Sequence, residues 1–195
     1  MSQIPELMGG RSLTHSIPLS LGASATKMYG VCQAKATVAD GTSHENNATE
    51  GSLEKLAIPA NTLVAGSTIR IWASGIVEDN NSTDTLTIFI RLGTHATLPA
   101  SNVAAFTSAA VDAVDADVYA LNGVIQIRTA TTAVAMWSHQ DPDAASTTPK
   151  FQNTASFAVD TTSKMYLDFS ADWSVAHAEN ETNSTMFVVD IVNPA

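Results

Sequence analysis

The sequence predicts an all-β fold, an antiparallel sandwich of two sheets packed face to face, and three observations predict it. Apolar residues recur at every second position through most of the chain, which is the period of a strand with one buried face. The composition is 45% hydrophobic and only 14% charged, with many Ala, Thr, Ser, Asn and Val residues, a mixture that favours strands joined by polar turns. Clusters of Asn, Asp, Gly, Pro and Ser separate the apolar runs, and these residues set turn geometry.

The length of 195 residues suits one sandwich domain with an appendage. Residues 1–24 contain two prolines, paired glycines and no sustained period, so they read as an extended N-terminal arm. Residues 25–195 form the sandwich domain. The arm's sparse apolar side chains, Ile4, Leu7, Met8, Leu13, Ile17 and Leu19, are too few to build a core. They suit the surface of a neighbour.

The first strand is predicted over residues 27–38, followed by a polar loop, and Leu53, Leu56 and Ile58 mark a short second strand. Residues 59–66 make a turn in which Pro59 fixes one dihedral and Gly66 permits an unusual one. Ile69, Ile71, Ala73, Gly75 and Val77 then face one side, with Thr68, Arg70, Trp72 and Ser74 on the other. After the turn cluster "EDNNSTD", Leu86, Ile88, Ile90 and Leu92 alternate in the same way.

Residues 93–116 are ambiguous, because "SNVAAFTSAAVDAVDA" suits either a short helix capped by Ser101 or an Ala-rich excursion. An excursion with a single helical turn is the favoured reading. "DVYALNGVIQIRTA" and "TAVAMWSHQ" are separated by little more than Ala130 and Thr131, so they pair as a hairpin. A further strand is predicted near residues 151–159. Met165, Leu167, Phe169, Ala171, Trp173 and Val175 share one face of the next, and Phe187, Val189 and Ile191 form the inward set of the last. About eight such strands with several long crossing loops favour a jelly roll over a meander. The paired cysteines of an immunoglobulin-like sandwich are missing.

Acidic residues outnumber basic ones by 19 to 9, for a formal charge of -10. Such a chain repels phosphate backbones, which argues against direct nucleic-acid binding. Arg70, Arg91 and Arg128 sit inside predicted strands and form no basic cluster. Cys32 is the only cysteine, so no internal disulfide is expected, and a buried inert thiol is its simplest reading. No stretch reaches the roughly 18 to 20 apolar residues that span a bilayer, and no secretory signal is recognised. Synthesis in the cytoplasm with no membrane partner is expected. Asn47, Asn80, Asn81, Asn180 and Asn183 match the glycosylation pattern, as Asn/Ser/Thr-rich turns do by chance.

Chemistry is sparse along the chain. There is no G-x-S-x-G, P-loop or G-x-G-x-x-G pattern. His15, His44, His95, His139 and His177 lack a zinc-like spacing. Asp112, Asp115 and Asp117 share one loop, and Asp141 and Asp143 another; either set offers oxygens to calcium, but solvated loop acids are the simpler reading. Asp168 and Asp172 fall on the outward face of a strand. No catalytic residue, cofactor or metal site is assigned, and no enzyme is expected. Trp72 and Trp137 are candidates for a surface aromatic contact with a protein or a sugar, whereas Trp173 belongs to the inward set.

"LEKLAIPANTLVAGSTIRIWASG" at 53–75, followed by "STDTLTIFIRLG" at 82–93, resembles a pattern in tailed-bacteriophage virion proteins. There a strand, an I-P-A-N-T-L-x-A-G turn, an I-R-I strand and a T-D-T-L-T strand open a jelly-roll domain. "TTAVAMWSHQ" and "YLDFSADWSVAHAENETNSTMFVVDIV" look like the remainder of such a domain. The resemblance runs from residue 53 to 192 and implies a virion protein of the head-decoration or cement type, or a tail or fibre component. It further implies a capsid-surface location, assembly as a homotrimer and the major capsid protein as partner. It carries over no catalytic residue. On this reading the arm is the candidate for capsid contact. A receptor- or glycan-binding module of a tail or fibre is the alternative.

Overall fold

The computed structural model describes residues 30–37, 39–79, 81, 83–142 and 149–194. The arm residues Ile4, Leu7, Met8, Leu13, Ile17 and Leu19 lie outside them, as does the side chain of Cys32. The strands are β1 (Gly30–Ala36), β2 (His44–Glu45), β3 (Gly51–Ile58), β4 (Thr68–Asp79), β5 (Thr85–Gly93) and β6 (Val103–Thr107). They continue with β7 (Val111–Asp112), β8 (Val118–Thr129), β9 (Thr132–Gln140), β10 (Lys150–Ala158), β11 (Met165–Trp173) and β12 (Glu181–Asn193).

Two antiparallel sheets result. One has the order β1-β12-β4-β8-β9-β10 with β2 paired to β12, and the other has the order β3-β11-β5-β6 with β7 paired to β5. Setting aside the two-residue β2 and β7 and the appended β9 and β10, the orders are first-eighth-third-sixth and second-seventh-fourth-fifth. That is the strand order of a jelly roll. The expected frame is therefore present, and β9 and β10 widen one of its sheets.

The strands form where period two supplies one apolar face. Ile69, Ile71, Ala73 and Val77 of β4, Leu86, Ile88, Ile90 and Leu92 of β5, and Leu167, Phe169, Ala171 and Trp173 of β11 are all buried. Phe187, Val189 and Ile191 of β12 complete the same core. Burying each large side chain contributes about 1.5–3 kcal/mol. Phe169 stacks on Phe187 with centroids 5.8 Å apart and meets Tyr119 edge-on at 6.1 Å.

The "IPANTLVAG" turn is tied down from three sides. Gly66 has φ +92, and its amide donates to the Ile127 carbonyl at 2.8 Å, a conformation that glycine adopts without steric cost. Ser67 Oγ accepts from the Val64 amide at 2.8 Å and donates to Asn193 Oδ1. This proline-led segment thus pins β8 and the end of β12 to the start of β4. Within β4, a Cβ on Gly75 would lie 2.1 Å from Tyr119 Oη, so the small residue makes room for that hydroxyl.

Two expectations need correction, and a third gains a detail. Residues 93–116 hold a 3₁₀ turn at Pro99–Ser101 and also the strands β6 and β7; β6 pairs with β5 and buries Ala105 and Phe106, so tertiary pairing overrides the weak local pattern. Val175 lies past the end of β11 and is 48% exposed, because no facing strand continues beside it. Asp168 does face outward from the core, yet it is fully covered by side chains that cross the outside of the smaller sheet.

Candidate docking face

The outer face of the larger sheet is assembled by register. Trp72 pairs with Val188 on one side and Asn122 on the other, Asn122 pairs with Ser138, and Ser138 with Phe151. These residues make one row across β12, β4, β8, β9 and β10. A second row, two residues along, runs Asp190, Arg70, Val124, Met136 and Asn153. Side chains directly opposite in such a ladder lie about 4.5–5.5 Å apart.

Among the polar residues of these rows, large apolar side chains stand in solvent. Trp72 is 39% exposed, Met136 60% and Phe151 82%. Met186 also stands partly in solvent, on the same face opposite Ser74. Two shallow grooves of 280 and 290 Å³ flank Trp72. Arg70, Val124, Met136 and Phe151 line the first; Ala120, Gln140, Pro149 and Met186 line the second, and Asn122 and Ser138 border both. Exposed aromatic and Met side chains rimmed by amides and hydroxyls are the composition of an interaction surface.

Trp72 therefore lies where a surface contact needs it, and Trp137 does not. Trp137 is 1% exposed, donates from Nε1 to the Ala105 carbonyl at 2.7 Å and packs against Phe106 at 5.5 Å. Pairing with Gly123 in the β8–β9 hairpin points the indole inward, in phase with Ala133 and Ala135. Trp173 is buried as expected, with its Nε1 donating to the His44 carbonyl at 3.3 Å.

Phe151 and Met136 carry much of this face and were not singled out in the sequence. Phe151 and Phe157 are six residues apart, which predicts a common side. The register between β9 and β10 shifts between Thr154 and Phe157, and this irregularity turns Phe157 inward while Phe151 stays outside. A comparable shift between Ser184 and Met186 exposes Met186 and buries Phe187. Met136 was visible as the neighbour of Trp137 on the opposite parity of β9.

Carboxylates gather instead on the outside of the smaller sheet, and there they are braced. Arg91 donates from Nε to Glu50 Oε1 at 2.6 Å, from Nη2 to Glu50 Oε2, and from Nη1 to the Asn102 carbonyl at 3.0 Å. Ser170 donates to the same Glu50 carboxylate at 2.5 Å. Asp168 accepts from Ser52 at 2.5 Å and Asn102 at 3.3 Å, with Lys55 Nζ at 3.2 Å. Burial, then the nearby Glu50 charge, pushes the Asp172 carboxyl above its ordinary range, and Arg91 only partly opposes this. Raised and paired carboxyls are also an acid–base signature. Here both Glu50 oxygens are taken by Arg91 and Ser170, which brace that carboxylate, while Asp172 Oδ1 is buried with no hydrogen-bond partner.

Two of the loop acids are committed to local contacts. Asp117 Oδ2 accepts from the Val114 amide at 2.9 Å. Asp141 is buried between Lys150 and His139, the latter at 3.4 Å, and Asp143 lies outside the described residues. His44 and His139 are both buried, and desolvation holds each below the ordinary histidine pKa. Asn180 is fully buried and donates to Asp84 and to the Val175 carbonyl. Among the described residues no three His, Cys, Asp or Glu side chains gather as a metal site, and no helix is long and apolar enough to cross a membrane.

No family model and no curated protein matches the sequence. Solved structures give distant likenesses. The chain is similar to the lectin UEA-II complexed with galactose, at 11% identity and TM-score 0.41, over 84% of this chain and 93% of that one. It is similar to lectin I from Ulex europaeus in complex with the methyl glycoside of α-L-fucose, at 9% identity and TM-score 0.38, over 85% and 93%. It is also similar to the VP2 protein of infectious bursal disease virus, in T=1 particles, at 11% identity and TM-score 0.33. That match covers 84% of this chain and 31% of VP2. The β-sandwich, established by its two sheets, bears a distant likeness to lectins and to a viral capsid protein.

Proposed function

We propose that the chain is a non-enzymatic virion structural protein, a head-decoration or cement protein that bridges and stabilises neighbouring major capsid proteins. It sits on the capsid surface, works as a homotrimer and binds neither nucleic acid nor membrane directly. The observation that carries this reading is the group of exposed apolar side chains on the outer face of the larger sheet, Trp72, Met136 and Phe151. A face of this kind suits a protein partner, and symmetry multiplies a modest contact into firm attachment. The phage-like turn and strand pattern at 53–93 supplies the kind of partner, and the jelly-roll frame supplies the stiffness.

The test is co-sedimentation with decoration-free heads. The chain with Met136→Asp and Phe151→Asp should lose attachment by at least tenfold while keeping its circular dichroism spectrum. Full occupancy by that variant would overturn the assignment of this face.

A glycan-binding module is the second reading, favoured by one observation. Trp72 stands half-exposed beside the Asn122 amide and the Ser138 hydroxyl, with a groove on either side, a stacking ring with polar groups at its rim. Binding on a glycan array that Trp72→Ala abolishes would support it, and a blank array would retire it.

A further inference from the structure

We propose that, before docking, the larger sheet's apolar face is covered by residues 1–24 of the same chain, which the partner then displaces. This rests on the reading of that face as the docking surface. The argument starts with where the upstream chain enters the fold. Gly30 opens β1, at the edge of the same sheet, and pairs with Asn193. In the next register pair but one towards the sheet's end from Arg70, Val192 faces Thr68. The upstream chain therefore joins beside the Arg70 row, and only β12 separates β1 from the strand that carries Trp72.

Reach is ample. Neighbouring strands are about 4.8 Å apart, so Phe151 on β10 lies about 24 Å across the sheet from β1. The residues preceding Gly30 span up to about 95 Å when extended. A tether whose reach exceeds the span keeps the arm at about millimolar effective concentration over its own sheet, well above that of a second copy in dilute solution.

Composition matches too. Ile4, Leu7, Met8, Leu13, Ile17 and Leu19 are spread along a segment whose charged residues are Glu6 and Arg11. The two rows they would cover hold one cation and one anion, Arg70 and Asp190, which are cross-strand neighbours. Left bare, a side chain as exposed as Phe151 invites association between copies. Once displaced, the same apolar residues are free to lie across a neighbouring subunit, which reconciles this role with capsid contact.

Tryptophan emission tests it without any capsid. Trp137 and Trp173 are each 1% exposed, so acrylamide quenching of the folded protein reports Trp72. The full chain should be quenched weakly at every protein concentration, and removal of residues 1–24 should raise the quenching constant severalfold. Leu13→Asp with Ile17→Asp in the full chain should do the same, and Trp72→Phe should abolish the increase. Equal quenching of the full and shortened chains would overturn the proposal. Protection that disappears on dilution would also overturn it, by showing that a second copy is the cover. Because no heads are present, these outcomes are independent of whether the sheet binds a capsid.

Discussion

Trp137 occupies the space that a side chain at Gly123 would need: a Cβ built there would meet Cε3 of the indole at 2.0 Å. The two residues are cross-strand partners in the β8–β9 hairpin, and the missing side chain on β8 lets the ring lie flat across the strand towards Phe106. Gly123→Ala should therefore push the indole out of its rotamer and cost about 1–3 kcal/mol. Urea unfolding checks this, and a variant as stable as the parent would show that the hairpin yields easily at this point.

Arg91 neutralises Glu50 on the outside of the smaller sheet, where both side chains are largely covered. Arg91→Met leaves that carboxylate buried beside Asp172 without its cation, and breaking such a pair typically costs about 3–5 kcal/mol. Arg91→Lys should recover only part of the loss, because an ammonium cannot span both carboxylate oxygens and also reach the Asn102 carbonyl. Chemical denaturation at neutral pH reads both values.

Acid should loosen the sandwich through His44 and His139. Desolvation lowers both pKa values from the ordinary 6.5, so below that pH the unfolded chain binds protons that the folded chain refuses. Stability is then fully present above pH 6.5 and falls as pH drops from there through the lowered folded values. Nearby carboxylates, Glu50 for His44 and Asp141 for His139, oppose the shifts without cancelling them. Thermal melts across this interval should show the decline, and His44→Gln with His139→Gln should flatten it.

Phe151 and Phe169 should separate binding from stability. Replacing Phe151 by Ser removes a side chain that is 82% exposed and should change unfolding free energy by no more than about 0.5 kcal/mol. Phe169→Ala, in the core, should cost about 3–5 kcal/mol by comparison. Denaturation midpoints for both, measured beside attachment to heads, would show loss of binding with unchanged stability only for the exposed residue.

Asp172→Asn should stabilise the fold at neutral pH. Burial and Glu50 raise the Asp172 pKa above its ordinary 3.8, so the folded state retains a proton that the unfolded state releases, and stability declines as pH rises through that interval. The amide variant should lack this decline. Comparing unfolding free energies of the two proteins between pH 3 and 7, a range chosen as roughly spanning the carboxyl titration, checks the sign.

By itself the sequence determined the strands and the direction in which most of them face. Ile69 to Val77, Leu86 to Leu92 and Met165 to Trp173 follow period two without interruption, and each places its apolar set in the core; Trp72 is exposed and Trp173 buried for the same reason. Only the tertiary structure decided what happens where that period breaks. The register shifts in β10 and β12 reverse side-chain parity, leaving Phe151 and Met186 outside and turning Phe157 inward, because an extra residue in one strand has no counterpart in its partner. Likewise Asp168 alternates as an outward residue yet is sealed beneath Ser52, Lys55 and Asn102, segments brought together by chain crossings that local pattern does not encode. The docking face exists for the same reason: its rows join strands far apart in sequence, and pairing alone sets them side by side.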